Sequence, residues 1–192
     1  SGAIPDRVPT DLHNFLMAAR SAGIPLRECL RKGELMAESH LAAWRRFRHD
    51  MVLVENGTAA MAEAMGCEVL YSDAVAPRVV GPVVRELRDA GKLRIPDPER
   101  DHPLCEVLKA VRILRKEIGG DVFIMGRADQ APLALAAAVR GYEALLLDLA
   151  APEDPAALER LLDVCLEATT RYALALQRAG AHATADTPTH VA

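Results

Sequence analysis

The sequence has 192 residues, of which 51% are hydrophobic and 26% charged, a composition typical of a globular protein rather than a disordered one. Its net charge of −4 leaves no basic excess with which to bind nucleic acid. No apolar run reaches the roughly 18 residues that would suggest a membrane span, and no secretory signal opens the chain. The four cysteines are far apart in sequence and form no C-x-x-C pair, which predicts reduced thiols in a cytoplasmic protein.

The first part of the chain alternates strand and helix signals. Residues 7–12 are the first predicted strand, with Pro9 near its start. A helix is predicted over 34–48, and a continuous apolar strand follows at Met51–Val54, as expected of a strand buried on both faces. A short helix over 59–65 ends at Gly66, which tolerates the left-handed conformation of a helix cap.

The middle of the chain is less regular. Residues 67–73 predict another strand, and 79–84 predict either a β-ribbon or a short helix, a choice that the sequence leaves open. Residues 95–98 contain two prolines and predict an extended linker. An amphipathic helix is predicted over 104–118, and two glycines end it.

The last part repeats the alternation. Residues 121–126 predict a strand, and 132–149 predict a helix with a break near Gly141. A long helix over 155–179 begins after Asp154 as its N-cap and ends at Gly180. Residues 182–186 predict one more strand. This order suits either an open flavodoxin-like sheet or a (β/α) barrel, but residues 10–14 lack the glycines of a dinucleotide-binding loop.

Four stretches carry a family resemblance. Residues 5–9 are similar to an opening "DRVP" motif, 62–69 to "AEALGCEV", 126–143 to "GPFTLA…LRGxE", and 152–180 to a long helix that ends in "AGAD". Together they resemble the uroporphyrinogen decarboxylase superfamily, which includes cobamide-dependent methyltransferases.

The resemblance implies an α/β fold, a (β/α)8 TIM barrel of the uroporphyrinogen decarboxylase type represented only by its N-terminal half, as one partial domain over residues 1–192. Active sites of such barrels lie at the carboxyl ends of the strands. A complete barrel needs about 250 residues, and an open half-barrel would expose a strand edge and an apolar core. We therefore expect a piece of a longer barrel, with closure of the half-barrel as a homodimer as the alternative.

The sequence departs from the decarboxylases at three positions. Where they carry an arginine-rich "MRQAGR" segment, residues 15–23 keep only Arg20; Gly57 stands at the aspartate of their "FSD" motif, and His182 at the aspartate of "AGAD". These departures favour the methyltransferases. For the full-length protein, that resemblance implies zinc, held by an H-x-C…C set absent from this sequence, and a corrinoid. The sequence itself shows no cofactor.

Three functions follow as hypotheses. The first is a corrinoid-dependent methyltransferase, in which a zinc-bound thiolate attacks a cobalt-bound methyl group and the partner is a corrinoid protein. The second is uroporphyrinogen decarboxylation, which acts on a small-molecule tetrapyrrole without a cofactor. The third is a non-catalytic half-barrel that binds a tetrapyrrole or a partner chain. Neither nucleic acid nor a membrane is an expected partner.

Polar residues that follow the predicted strands are the candidate site. Glu55 and Asn56 are catalytic candidates, with a helix-capping loop as their alternative role. Arg127 and Asp129 are candidates for substrate binding, with a mutual salt bridge as the alternative. His13 is a further substrate-binding candidate, or else a neutral, half-buried histidine.

The C-terminal segment supplies the remaining candidates. Metal binding is considered for three residues spaced four apart, His182, Asp186 and His190. Pro188 prevents a continuous helix that would bring them to one face, and three ligands are too few for a zinc site. We therefore predict no metal site in this segment, and we assign Asp186 a catalytic role and His182 a substrate-binding role.

Overall fold

The computed structural model describes residues 6–11, 15–128 and 131–185. The helices and strands of these residues are, in chain order, α1 (Phe15–Ala22), α2 (Leu26–Cys29), α3 (Gly33–Phe47), β1 (Met51–Val54), α4 (Ala60–Ala64), β2 (Glu68–Leu70), β3 (Arg78–Gly81), a 3₁₀ helix (Leu87–Lys92), α5 (Leu104–Ile118), β4 (Phe123–Arg127), α6 (Ala131–Arg140), α7 (Tyr142–Ala150), α8 (Pro155–Ala179) and β5 (Ala183–Ala185).

A parallel sheet in the order β1-β4-β5 forms the inner layer. Met51 of β1 pairs with Phe123 of β4, and Met125 of β4 pairs with Ala183 of β5. Beyond β1, a parallel bridge joins Asp11 to Met51. All strands of this sheet run in the same direction, so their carboxyl ends meet at one edge.

The two faces of the sheet differ in what they contact. Val52, Val54 and Ile124 are fully buried against the helices, and Gly126 lies on the same face, with Leu176 of α8 where a side chain would stand. The alternate residues, such as Phe123 and Met125, lie on the opposite, concave face, because successive side chains of a strand point to opposite sides.

The outer layer is a row of helices in which α8 packs on α5, α5 on α3 and α3 on α1. An apolar stripe at helical spacing along α5 fills the space between this layer and the sheet; its fully buried members are Leu104, Val107, Leu108, Val111 and Leu114. The sequence pattern thus produces the helix and also supplies the centre of the core.

Gly33, the first residue of α3, allows α3 and α5 to approach closely. A Cβ atom at this position would lie 2.4 Å from the Glu106 backbone oxygen and 2.8 Å from Lys109 Cβ. We expect Gly33→Ala to lower the free energy of unfolding by about 1–3 kcal/mol, because backbone atoms must shift to relieve the overlap. Urea denaturation measures this loss. Gly91→Ala is the control, since nothing lies within 4 Å of its Cβ position; an equal loss in both variants would contradict the packing argument.

The long helix α8 begins with a side-chain cap. The Asp154 carboxylate accepts a hydrogen bond from the Ala157 backbone N–H at 2.9 Å, and Pro155 occupies the first turn. Removing such a cap costs about 1 kcal/mol, so Asp154→Ala should lower the melting temperature. Asp163→Ala is the control, because it removes an exposed carboxylate from the interior of the same helix, where that carboxylate does not cap the helix. Equal shifts in calorimetry would exclude capping as the cause.

A β-ribbon lies beside α6, formed by antiparallel β2 and β3. Arg140, at the end of α6, holds the chain that leaves the ribbon: its guanidinium donates to the Asp148 carboxylate at 2.7 Å and to the Arg85 carbonyl at 2.6 Å. Of the two alternatives for residues 79–84, the structure shows the ribbon, which includes residues 79–81. The predicted break near Gly141 is confirmed, because α6 ends and α7 begins on either side of it.

The prediction of a continuous first strand over 7–12 is wrong for the described residues. Their pairing is limited to the bridge at Asp11 and a hydrogen bond from the Asp50 backbone N–H to the Thr10 carbonyl. Before Asp11, the Asp50 carboxylate takes the place of a strand partner: it accepts from Thr10 N–H at 2.9 Å and forms an ion pair with Arg7. Helices α1 and α2 were not predicted. Among the described residues, no helix combines the length and apolarity needed to cross a membrane.

Candidate functional site

Two oppositely charged side chains lie together at the carboxyl edge of the sheet. Glu55 follows β1 and Arg127 ends β4, and the register that pairs Val54 with Gly126 places them next to each other. Arg127 Nη1 donates to Glu55 Oε2 at 3.1 Å, and the side chains are only 8% and 4% exposed respectively. This edge is where (β/α) barrels hold their catalytic and binding groups.

Asn56 continues the site on the β1 side. It is buried, and its amide Nδ2 has no hydrogen-bond partner among the described residues. A buried amide donor without a partner costs free energy, so a ligand oxygen that accepts from Nδ2 would be stabilised here.

Gly57 gives the loop after Asn56 its shape. Its φ of +85° is left-handed, and a Cβ atom there would lie 3.0 Å from Pro77 Cδ. Glycine is the residue that adopts this conformation readily. Gly57 stands where the decarboxylase motif has an aspartate, and its backbone conformation gives a reason for a glycine at this position.

The structure brings together three of the predicted site residues, Glu55, Asn56 and Arg127. The alternative of a salt bridge from Arg127 to Asp129 concerns a residue outside the described ranges, as do the predictions for His13 and Asp186 and the metal spacing that included His190. The ion pair itself, between residues 72 positions apart, was not predicted.

His182 lies at the opposite edge of the sheet, just before β5. Its Nδ1 accepts a hydrogen bond from the Ile124 backbone N–H at 2.9 Å, near the start of β4. Its ring stacks on Phe123, and it contacts the Arg115 guanidinium. The structure therefore does not bring His182 to the Glu55–Arg127 pair.

A separate cleft of about 340 Å³ lies between the β-ribbon and α6, next to the loop that follows Asn56. Its walls are mostly apolar, and Thr58, Arg78 and Tyr142 are polar members of its lining. This cleft was not predicted, although the run Val79-Val80-Gly81-Pro82 supplies one of its walls.

The described cysteines do not fit a metal site. Burial raises the pKa of Cys29 and Cys67, and raises that of Cys165 to about 12, so these thiols are protonated, apolar parts of the core. Within residues 6–11, 15–128 and 131–185, no group of three or more His, Cys, Asp or Glu side chains is placed to hold a metal ion.

Comparison with known proteins identifies the relatives of this chain. A family model described as uroporphyrinogen decarboxylase (URO-D) matches residues 4–186. The uroporphyrinogen decarboxylase of Citrobacter koseri is 32% identical over 168 residues, which is 85% of this chain and 46% of that protein. That of Escherichia fergusonii is 31% identical over 170 residues, 86% of this chain and 47% of that protein. The chain thus spans about half the length of the curated relatives that it matches.

A solved structure extends the comparison to the fold. A methyltransferase from Methanosarcina mazei superimposes with a TM-score of 0.84 at 27% sequence identity, covering 96% of this chain and 55% of that one. The expected fold class, part of a parallel (β/α) barrel, is confirmed. The family model and the relatives together show that this chain belongs to the uroporphyrinogen decarboxylase family.

Proposed function

We propose that this chain forms the N-terminal part of the barrel of a corrinoid-dependent methyltransferase and that Glu55, Asn56 and Arg127 bind a polar ligand at its mouth. The observation that carries the proposal is the ion pair buried at the carboxyl ends of two adjacent parallel strands. Burying charged side chains costs desolvation free energy. At the mouth of a barrel, where ligands bind, such charged groups commonly have a role in binding.

The chain's own residues have separate roles in this proposal. Arg127 presents a planar guanidinium that can bind a carboxylate or phosphate through two parallel hydrogen bonds. Glu55 compensates the charge of Arg127 before the ligand arrives and holds the guanidinium at the edge of the sheet. Asn56 donates through Nδ2 to a ligand oxygen, and Gly57 keeps Asn56 in place.

Two observations favour the methyltransferase branch. Residues 15–22 form helix α1, which carries Arg20 as its single arginine, so the chain lacks the arginine-rich segment suited to a polycarboxylate. The Methanosarcina mazei protein, a methyltransferase, matches almost the whole chain.

Decarboxylation of a tetrapyrrole is the second candidate, and it rests on the curated relatives. The Citrobacter koseri and Escherichia fergusonii proteins, with identities of 31–32%, are both named uroporphyrinogen decarboxylase. A decarboxylase of this kind needs no metal.

The cofactors belong to the proposal for the whole protein. A bound corrinoid supplies a transferable methyl group at cobalt, and we place its carrier protein at the barrel mouth. Because the described residues do not fit a zinc site, we assign no step to zinc in this part of the barrel.

Titration of the protein with methylcobalamin and, separately, with uroporphyrin tests the proposal. We expect methylcobalamin to bind more tightly than uroporphyrin, and we expect Glu55→Leu/Arg127→Met to weaken methylcobalamin binding at least about tenfold, the equivalent of one hydrogen-bonded charge pair. The absorbance change of each probe measures binding. Arg178→Met, which removes an exposed arginine of α8, is the matched control.

The other outcomes select between the candidates. Tighter binding of uroporphyrin, or loss of carboxyl groups from added uroporphyrinogen, would favour the decarboxylase. Equal affinity of the parent and the double variant for methylcobalamin would reject the role given to the ion pair.

A further inference from the structure

The carboxyl end of α3 carries a dense group of positive charges. Arg45 and Arg46 lie in the last turn of the helix and Arg48 is its C-cap residue, and all three residues are exposed. Because α3 ends just before β1 begins, this group lies at the amino edge of the sheet, opposite the edge that holds the candidate site. We call residues 44–48 the α3 patch.

The arginines of the α3 patch have no acidic partner in the described part of the chain. Their guanidinium groups form neither an ion pair nor a side-chain hydrogen bond with a described residue. The carboxylate nearest in sequence, that of Asp50, already binds Arg7 and Thr10. Other exposed arginines of this protein do have partners: Arg112, for example, donates to Glu99 at 2.6 Å. The α3 patch therefore presents positive charge that the described residues do not compensate.

Aromatic rings hold two of these guanidinium groups in place. The guanidinium carbon of Arg48 lies 4.7 Å from the centre of the Trp44 ring, and that of Arg46 lies 5.2 Å from the centre of the Phe47 ring. Rotamer freedom that a side chain has lost before binding is not lost again on binding. The stacking therefore prepares both arginines to bind an anion.

Stabilisation of the helix explains only part of this arrangement. Cations in the last turn of a helix interact favourably with its negative end, which accounts for Arg45 and Arg46. Arg48, however, stands past the last helical residue with a φ of +54°, a left-handed conformation that glycine or asparagine adopts more readily. Phe47 is 46% exposed among the charges. Arginine and aromatic residues are both enriched in protein–protein interfaces, so these two features fit a surface that contacts another protein.

We propose that the α3 patch binds an acidic segment of a partner protein, whose carboxylates pair with the arginines and whose apolar side chain contacts Phe47. A guanidinium group can bind a carboxylate through two parallel hydrogen bonds, and three such groups lie within four residues of sequence. This inference does not depend on the proposed function, because the α3 patch and the candidate site lie at opposite edges of the sheet.

The distribution of charge favours a protein segment over larger polyanions. The chain has a net charge of −4, so an extended phosphate backbone would meet repulsion once it left the α3 patch. Recognition of anionic membranes commonly uses clusters of about four to eight basic residues, more than the three arginines at this helix end. An acidic segment needs only a few carboxylates, which matches the size of the α3 patch.

Fluorescence of Trp44 provides a direct test, because it is the only tryptophan in the sequence. The probe is a short synthetic peptide of glutamate and leucine residues, titrated into the 192-residue chain. We expect a saturable change in the emission of Trp44, since pairing of Arg48 with a carboxylate alters its stacking on the indole ring. A peptide with glutamine in place of glutamate should cause no change, and added salt should weaken binding because exposed charges are screened.

Two double variants separate the α3 patch from the overall charge. Arg46→Gln/Arg48→Asn removes both stacked guanidinium groups, and asparagine tolerates the left-handed conformation at position 48. We expect this variant to bind the acidic peptide at least about tenfold more weakly, the loss of more than one exposed charge pair. Arg160→Gln/Arg178→Gln removes two exposed arginines of α8 and should bind like the parent. Anisotropy of a labelled peptide measures each affinity, and circular dichroism checks that both variants are folded.

Other results would overturn the proposal. Equal affinity of the two double variants for the acidic peptide would show that the peptide responds to overall charge or binds elsewhere. Tighter binding of a single-stranded RNA than of the acidic peptide would make the α3 patch a contact for nucleic acid. A parent chain that shows no saturable binding of the acidic peptide would leave the α3 patch as a solvated helix end.

Discussion

Arg127→Met is expected to lower the free energy of unfolding by about 3–5 kcal/mol, the usual cost of removing one partner from a buried ion pair. Glu55 would remain 4% exposed at the sheet edge without the guanidinium that donates to it at 3.1 Å. The buried carboxylate would lose this charged donor without gaining water in its place, and that loss destabilises the fold. Chemical denaturation of the parent and the variant at neutral pH measures the difference.

The double variant Glu55→Leu/Arg127→Met separates stability from function. Apolar replacements of a buried ion pair are often neutral or stabilising, so the double variant should recover most of the unfolding free energy that Arg127→Met loses. If it is stable and binds methylcobalamin poorly, the pair serves the ligand more than the fold. A single Arg127→Met variant as stable as the parent would show that Glu55 is readily hydrated or accommodated without Arg127.

Helices with strong local signals could be predicted from the sequence almost to the residue. Leu104–Ile118 and Pro155–Ala179 form as predicted, because an apolar stripe, a proline in the first turn and a terminal glycine act within a few residues of the helix. Helix α1 also ends at a glycine, Gly23, but it is short and has neither a proline nor an acidic residue in its first turn. Its contacts with α3, distant in sequence, supply what local propensity does not.

The prediction of a first strand over residues 7–12 is wrong for a related reason. The alternation around Pro9 resembles a strand, but pairing requires a partner with free backbone groups at that position. The Asp50 carboxylate takes the Thr10 N–H, so the ladder does not extend back from Asp11 toward Arg7. Competition between a side chain and a backbone ladder is not visible in a hydrophobicity pattern.

The candidate site could be predicted as separate residues but not as an assembly. Glu55 and Arg127 could each be predicted because each follows an apolar run, which is a local signal. Their contact depends on the register of Met51 with Phe123, which is set by packing over the whole sheet. The prediction for His182 depends on its place in a motif, and a motif position does not reveal which end of a strand a residue occupies. In the structure His182 lies before β5, at the opposite edge of the sheet.

Acidification should already destabilise this protein between about pH 6.5 and 5, through a buried histidine in α3. His40 is 5% exposed, and its Nε2 has no hydrogen-bond partner among the described residues. Burial lowers the pKa of His40 to about 4, and the neighbouring His49 contributes to the shift. Burial also lowers the pKa of His49, although Asp11 and Asp50 oppose that change.

The direction of this pH effect on stability follows from the difference in proton binding between the folded and unfolded states. Above pH 6.5, the ordinary value for histidine, His40 is neutral in both states and has no effect. As the pH falls toward about 4, the unfolded chain binds a proton that the folded chain excludes, so stability decreases. The loss is about 1.4 kcal/mol per pH unit, which gives about 2 kcal/mol between pH 6.5 and 5 from His40 alone.

The window between pH 6.5 and 5 separates this effect from the acid titration of Asp50 and Asp73. Hydrogen bonds from Thr10 and Arg27 lower the pKa of Asp50 and Asp73 from the ordinary 3.8, so their stabilisation is lost only at still lower pH. Denaturation midpoints across the window should fall for the parent and clearly less for His40→Leu, which fills the same buried space without a titratable ring. His102→Asn, a change at an exposed histidine, is the control, and a His40→Leu curve that runs parallel to the parent's would show that the buried imidazole is not the group being protonated.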